Sequence, residues 1–443
     1  MRYKLRVGLA IAATTAGILS LGAQPASADY APSSKDVVGV GSGVMQYATD
    51  FAADGDQLGD PGYNSAGNKY KLVNFDATAD ANDRVDYGPL GVGTGACTPG
   101  LGATIGTGIQ TTTHTDLACT LNPTIVIRAG LSPVQRPDGS QAGAWALAGD
   151  TRHFITFARA ATCEGPTCTS GGAAAPGPLS AAYDSVEIGT DPLAMLAAKS
   201  TNAVALSKEQ LASIYSCTDT TWTQVGGTSG DTIIPLLPQL GSETRATFLA
   251  DIGNPTVGSC VTTVEDNDPT AIAVQADPAD AIEPISNGLL DLFLGLLSSG
   301  ASNGLGGYFT DPSCPLQDVN SSTPAACAPG SEVITPSVRL FTSGSPSDGN
   351  PLFDAIRPLY IYFRAADVTS ATGWQPGSTL NPIRTLFYNP CPDNPPVAGD
   401  GCTTVGSTTY GPGGPPWIAT TAAQADIAAA GITPQYVVTI GGP

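Results

Sequence analysis

Three short loops hold the residues best suited to chemistry: Val40-Gly41-Ser42-Gly43, Pro137-Asp138-Gly139-Ser140 and Leu240-Gly241-Ser242-Glu243-Thr244. Each stands where a strand-like run gives way to helical spacing, so each is expected at a helix start. A helix start offers unpaired backbone N–H groups and partial positive charge, and small residues let an anion approach them closely. Three such loops in one chain suggest helix ends converging on a ligand. Ser42, Gly43, Gly139, Ser140, Ser242, Glu243 and Thr244 are the candidate contacts, with Arg159 and Arg245 as candidate sources of charge. The competing role for each serine is an ordinary N-cap that serves only its own helix. For Arg159 it is an internal salt bridge.

Other chemistries find less support. There is no GxSxG elbow, and the only two histidines, His114 and His153, stand alone, so a serine triad and an enzymatic role are not expected. Neither histidine has a cysteine at ligand spacing, and no CxxC occurs, so no metal or other cofactor is expected. Asp54, Asp56 and Asp60 have some calcium-loop character but lack the EF-hand spacing and its closing glutamate. Gly39, Gly41 and Gly43 fall short of GxGxxG because Val44 occupies the next glycine position. Asp76 is read as a turn residue or a cleft carboxylate, and Trp145 and Trp222 as core.

The N-terminus points to export. Arg2, Lys4 and Arg6 precede a mostly apolar stretch, and Ala26-Ser27-Ala28 reads as a small-residue cleavage site, so residues 1–28 are expected to be a signal peptide. No cysteine lies near that site for a lipid anchor. The mature chain is therefore expected to be secreted or cell-wall associated. Without the leader it holds 15 Lys and Arg against 38 Asp and Glu, a net charge of −23. Such a field repels nucleic acid and anionic membranes. Leu289–Leu297 is too short to span a bilayer, so membrane insertion is not expected either.

Ten cysteines in an oxidising compartment suggest disulfides. Neighbouring pairs are the simplest choice: Cys97/Cys119, Cys163/Cys168, Cys217/Cys260, Cys314/Cys327 and Cys391/Cys402, though spacing alone leaves the connectivity open. The Gly/Pro/Ser/Thr-rich segments 86–123, 164–180, 300–330 and 389–416 are read as stapled surface loops.

The elements that must position the loops alternate between strand and helix. Strands are expected at Asp36–Val40, Tyr70–Phe75, Thr124–Arg128, Phe154–Ala158, Thr232–Leu237 and Leu359–Phe363. Val44, Tyr47, Ala48 and Phe51 form one apolar helix face. Another helix is expected over residues 141–148, and Phe248, Leu249 and Ile252 mark the face of one after the third loop. Ser207-Lys208-Glu209-Gln210 is a capping-box pattern that opens a helix carrying Leu211, Ile214 and Tyr215. Such alternation indicates an α/β fold with mainly parallel sheets. The expected division is a first lobe over 29–190, a second over 191–350, and a return to the first lobe plus a C-terminal extension over 351–443.

Several runs resemble the phosphate-binding proteins of ABC transporters. Leu206–Gly227 is similar to their "LSxxQLxxIYxGxxxxWxxxGG" segment, and Ile234–Phe248 to the stretch ending in "GSGTRxxF". Arg136–Leu147 followed by Ile155–Arg159 resembles "GSGAGIxxL…DFAxSD", and Val38–Gly43 matches the opening strand and loop. A secreted actinobacterial branch with "VGVGSDT", "FDAT", "RPNGSxAG", "FARSS" and "PQxGSGTR" looks most alike. The likeness covers most of 36–290 and, more faintly, 331–368. It implies a type II periplasmic-binding fold: two α/β lobes, a two-strand hinge and a ligand held between the lobes.

The resemblance also marks departures. Pro238 stands where the family usually has an arginine four residues before the loop serine. Arg159-Ala160-Ala161 stand where it has an acidic residue, and Glu243 replaces the central glycine of "GSGT". Two functions follow as expectations. One is a monomeric, secreted, non-catalytic solute-binding protein that holds a small anionic or polar ligand, phosphate-like by resemblance, with an ABC-transporter permease as a possible partner. The other is an extracellular surface or matrix protein of the same fold that has lost transport-type binding. In that case its cleft is filled by its own side chains, with Glu243 tied to backbone N–H groups.

Overall fold

The computed structural model describes residues 31–440, apart from 78–123, 166–178, 293–337, 370–381, 392–398 and some shorter interruptions. The leader, Asp76 and Gly241 lie outside the described residues. Short apolar runs that end at small residues build the first strands. These are β1 (Val37–Gly41), β2 (Leu72–Asn74) and β5 (Phe157–Ala160). Both β2 and β5 pair with β1 in parallel. Thr124–Ile125 (β3) and Val134–Gln135 (β4) form a separate two-strand pair, so the strand expected at 124–128 is only two residues long.

Two long strands hold the molecule together. β6 (Tyr183–Ala198) has 16 residues and β11 (Ala355–Arg364) has 10, and they pair antiparallel along most of their length. On one side β11 pairs antiparallel with β5. On the other, β6 pairs antiparallel with β9 (Ala281–Ser286). Parallel pairing then resumes from β9 to β7 (Ile234–Pro238) and on to β8 (Thr262–Val264). The main path reads β2-β1-β5-β11-β6-β9-β7-β8. Two parallel strand sets thus flank a central antiparallel pair, the α/β arrangement with a two-strand connection that the sequence suggests. β10 (Val338–Phe341) and β14 (Thr433–Thr439) add to opposite ends of β6.

Helices cover the parallel sets. α1 (Gln46–Asp54) follows β1 and starts two residues beyond Val44, because Val44 and Met45 form a turn first. Its face is still the expected one, with Val44, Ala48 and Phe51 buried and Tyr47 packed partly against the same core. α2 (Ser140–Gly149) packs on β1 and β5, and α4 (Glu243–Asp251) follows β7. α3 (Lys208–Tyr215) opens with the predicted capping box, in which Ser207 and Gln210 exchange backbone and side-chain hydrogen bonds.

The core divides with the sheet. Met195, Leu211, Tyr215, Trp222, Leu237, Phe248 and Phe353 form a cluster on the β7 side, where Tyr215 meets Phe248 edge-on at 4.7 Å. Trp222 is buried there and donates to Asp280 at 2.6 Å. Trp145 is only half-buried and stands outside the cluster that holds its neighbours Ala144 and Leu147.

Two of the five expected cystines are present as paired in sequence order, Cys217–Cys260 and Cys391–Cys402. Cys163 is also disulfide-bonded, and Cys168, the partner expected for it, lies outside the described residues. Both members of the expected pairs Cys97/Cys119 and Cys314/Cys327 lie outside them as well: Cys97, Cys119, Cys314 and Cys327. Segment 389–416 is not all loop, because it holds the hairpin β12 (Thr403–Val405) and β13 (Thr408–Tyr410). Among the described residues no helix is long and apolar enough to cross a membrane.

Candidate functional site

The site lies where the C-terminal ends of β1, β5 and β7 deliver their following loops. Open parallel sheets place ligands at such strand ends. At the end of β1, Gly41 has φ 118°, a conformation L side chains resist, and Ser42 N–H donates to Arg159 O at 3.0 Å. α2 sits unusually close to this turn. A Cβ added at Gly143 would stand 2.5 Å from Gly41 Cα, so only glycine permits the approach. The start of α2 is thereby held beside Ser42. Its N-cap is Gly139 at φ 92°, which has no side chain to satisfy the first N–H groups.

Those groups find a partner from the other parallel set. The Glu243 carboxylate accepts Ser42 Oγ–H at 2.5 Å and Val44 N–H at 3.4 Å on Oε1, and Ser140 N–H at 3.2 Å on Oε2. Glu243 is 1% exposed. An acidic first-turn residue ordinarily serves its own helix start. Here Ser242 caps α4 instead, through its Oγ and Arg245 N–H at 3.1 Å, and the Glu243 side chain reaches across. Three loops far apart in the chain therefore meet around one carboxylate.

The remaining candidates surround this point without entering the contact. Ser140 Oγ accepts Ala161 N–H at 2.8 Å. Gly43 accepts Gln46 N–H on its carbonyl. Arg159 is fully buried behind the Ser42 loop and donates to the carbonyls of Ser42, Gly41 and Phe75 and to Asn74 Oδ1. Asn74 in turn donates to Asp50 at 2.7 Å. Burial raises the Asp50 carboxyl to about 6, against the opposing pull of Asn74 and Arg159. Arg245 donates to Pro238 O at 2.8 Å, and burial lowers its pKa.

Sequence reasoning missed three side chains here. Arg357 on β11 and Asp191 on β6 face each other in register and form a buried ion pair, with Nε and Nη2 at 2.9 and 2.8 Å from Asp191 Oδ2. Ser286 Oγ–H and Gly288 N–H satisfy the other carboxylate oxygen. Arg357 Nη1 then donates to Thr244 Oγ1 at 3.2 Å, so the connecting strands supply a guanidinium to the loop where Pro238 cannot. The available clue was weak: Arg357 follows an apolar pair in β11, but β6 carries Asp184 and Glu187 besides Asp191, so nothing in the run singles out Asp191. Glu164 is the third. Burial raises its carboxyl to about 8, the hydrogen bond from Thr162 opposes this, and the Glu243 charge raises it further. An acidic group thus stands near the site, a few residues after the Arg159-Ala160-Ala161 run.

Among the described residues, Cys391, Asp400 and Cys402 form the one trio spaced to hold an ion, and its two sulfurs are joined in a disulfide.

No protein-family model matches the chain, and no curated protein sequence matches it. Solved structures do show likenesses. A phosphate-binding protein from Stenotrophomonas maltophilia is 14% identical, with 67% of this chain and 82% of that one covered at a TM-score of 0.33. An ABC-type phosphate transport receptor from Vibrio cholerae is 19% identical over 51% and 73%, at 0.30. PstS from Borrelia burgdorferi is 12% identical over 74% and 87%, also at 0.30. Likenesses of this size leave the fold to rest on its strand order and the site on its own geometry.

Proposed function

We propose that this chain is a secreted, non-catalytic solute-binding protein. Its two lobes, 29–190 with 351–443 and 191–350, close on a small anionic or polar ligand. Ser42, Gly43, Gly139 and Ser140 contribute from the first lobe, and Ser242, Glu243, Thr244 and Arg245 from the second, with Arg159 bracing the Ser42 loop. One observation carries the reading: a single buried carboxylate is held by donors from one parallel set while its own helix follows the other. An anionic group is thus accommodated at the junction, bound as helix starts bind anions. A phosphate-like oxyanion is the ligand class suggested by the motif resemblance, and an ABC permease the partner it implies. The chain acts as a monomer outside the cytoplasm, free or wall-associated.

Thermal unfolding across a panel of phosphate, sulfate, carboxylates and polar metabolites tests this. A ligand present at 100 times its Kd stabilises the native state by about 2.7 kcal/mol. No stabilisation by any member refutes the reading. The alternative, a surface protein of this fold that has lost binding, draws on Glu243 filling the junction and predicts that null result.

A further inference from the structure

The geometry points to Glu243 as a tethered ligand: its carboxylate occupies the junction as an oxyanion would and holds the two parallel sets closed without solute, so an incoming oxyanion must displace it. This inference rests on the solute-binding reading above and adds to it a built-in competitor.

The observations are independent of that reading. Glu243 is not needed to cap its own helix, because Ser242 already does so through Arg245 N–H. Its carboxylate instead meets one hydroxyl and two backbone N–H groups on residues 42, 44 and 140. The start of α2 has no side-chain cap, so Ser140 N–H relies on this distant carboxylate. The group is almost entirely shielded from water. A soluble oxyanion at this junction would need the same hydroxyl and N–H donors that the carboxylate already holds. Displacement, not addition, is then the route for a soluble oxyanion. The competitor is intramolecular and acts at high effective concentration, which weakens the apparent affinity for free solute.

The test uses the mature full-length protein, with inorganic phosphate as probe, in calorimetric titrations of wild type, E243G, E243Q and the double variant S42A/E243G. Small-angle scattering of each ligand-free protein reports opening. E243G is expected to bind phosphate at least tenfold more tightly than wild type and to have a larger radius of gyration without ligand. Adding S42A is expected to remove at least tenfold of the gained affinity. E243Q keeps the side-chain size but not the charge. It should fall between wild type and E243G, and it carries the same test if E243G loses its cooperative unfolding transition. Equal phosphate affinity and equal radius in wild type and both Glu243 variants overturn the inference. If a panel ligand binds wild type and E243G alike, the tethered-ligand inference falls and the solute-binding reading stands. If no panel ligand binds either protein, both fall.

Discussion

Replacing Arg357 by methionine should be among the most damaging single changes in this protein. The guanidinium makes two bonds to Asp191 Oδ2, at 2.9 and 2.8 Å, and a third to Thr244 at 3.2 Å. Asp191 is wholly buried, so R357M leaves a carboxylate with only Ser286 and Gly288 as donors and no compensating cation. Removing one partner of a buried pair costs about 3–5 kcal/mol, and D191L should cost a similar amount for the opposite reason. Replacing both by apolar residues removes the unpaired charge together with its desolvation penalty, so D191L/R357M should lie within about 2 kcal/mol of wild type. The assay is urea denaturation at neutral pH, followed by tryptophan fluorescence, to which the buried Trp222 contributes, as a double-mutant cycle. A coupling energy of several kcal/mol is expected. Single variants that each lose under about 1 kcal/mol, with a double variant equal to their sum, would refute the view that this pair is a desolvated, mutually dependent unit.

Three further outcomes follow from particular contacts. Glu164 titrates at about 8 in the fold against 4.5 in the unfolded chain, so the native state keeps a proton that the unfolded chain releases. Its contribution is therefore full below pH 4.5 and declines as pH rises to about 8, by at most about 1.4 kcal/mol per unit. Denaturation midpoints across this range should fall less steeply in E164Q than in wild type, and unchanged slopes would contradict the assignment. Cys217–Cys260 closes a separation of 43 residues, so C217S/C260S should lose about 4 kcal/mol by the chain-entropy estimate, read by calorimetry under non-reducing conditions. G143A places a methyl group against Gly41 and should cost at least about 1–3 kcal/mol, while Gly67, which has open space around it, should accept alanine with only its backbone penalty. Equal costs at both positions would show that α2 is not pressed against the β1 turn.

Much of the frame was legible because local chemistry and tertiary structure agree. The Ser207–Gln210 box, the apolar face of α1 and the runs that became β1, β7 and β11 each carry a short-range pattern that the fold uses, with element ends shifted by one or two residues and β11 extended at its start. The three small-residue loops were legible for the same reason, since each sits between a strand and a helix. What the side chains do there was not. Whether Glu243 would turn back to its own helix or reach across depends on the approach of α2, which the contact between Gly41 and Gly143 sets across about 100 residues of sequence. The Arg357–Asp191 pair depends on the register between β6 and β11, and a one-residue slip would separate them to opposite faces. Arg159, near the end of β5, could be read from the sequence as a ligand contact or as an internal ion-pair partner. The hydrogen bonds it donates to the loop carbonyls and Asn74 lie behind the site instead, a distinction of side-chain direction that spacing does not carry. β14 left little trace because its residues alternate only between exposed and half-buried, and Pro434 interrupts the pattern.

The most direct test is a crystal structure of the E243G protein grown with inorganic phosphate. The account predicts a tetrahedral ion within hydrogen-bonding distance of Ser42 Oγ, Val44 N and Ser140 N, where the glutamate carboxylate otherwise sits. A closed junction with no ion, or phosphate bound only elsewhere on the surface, would contradict it.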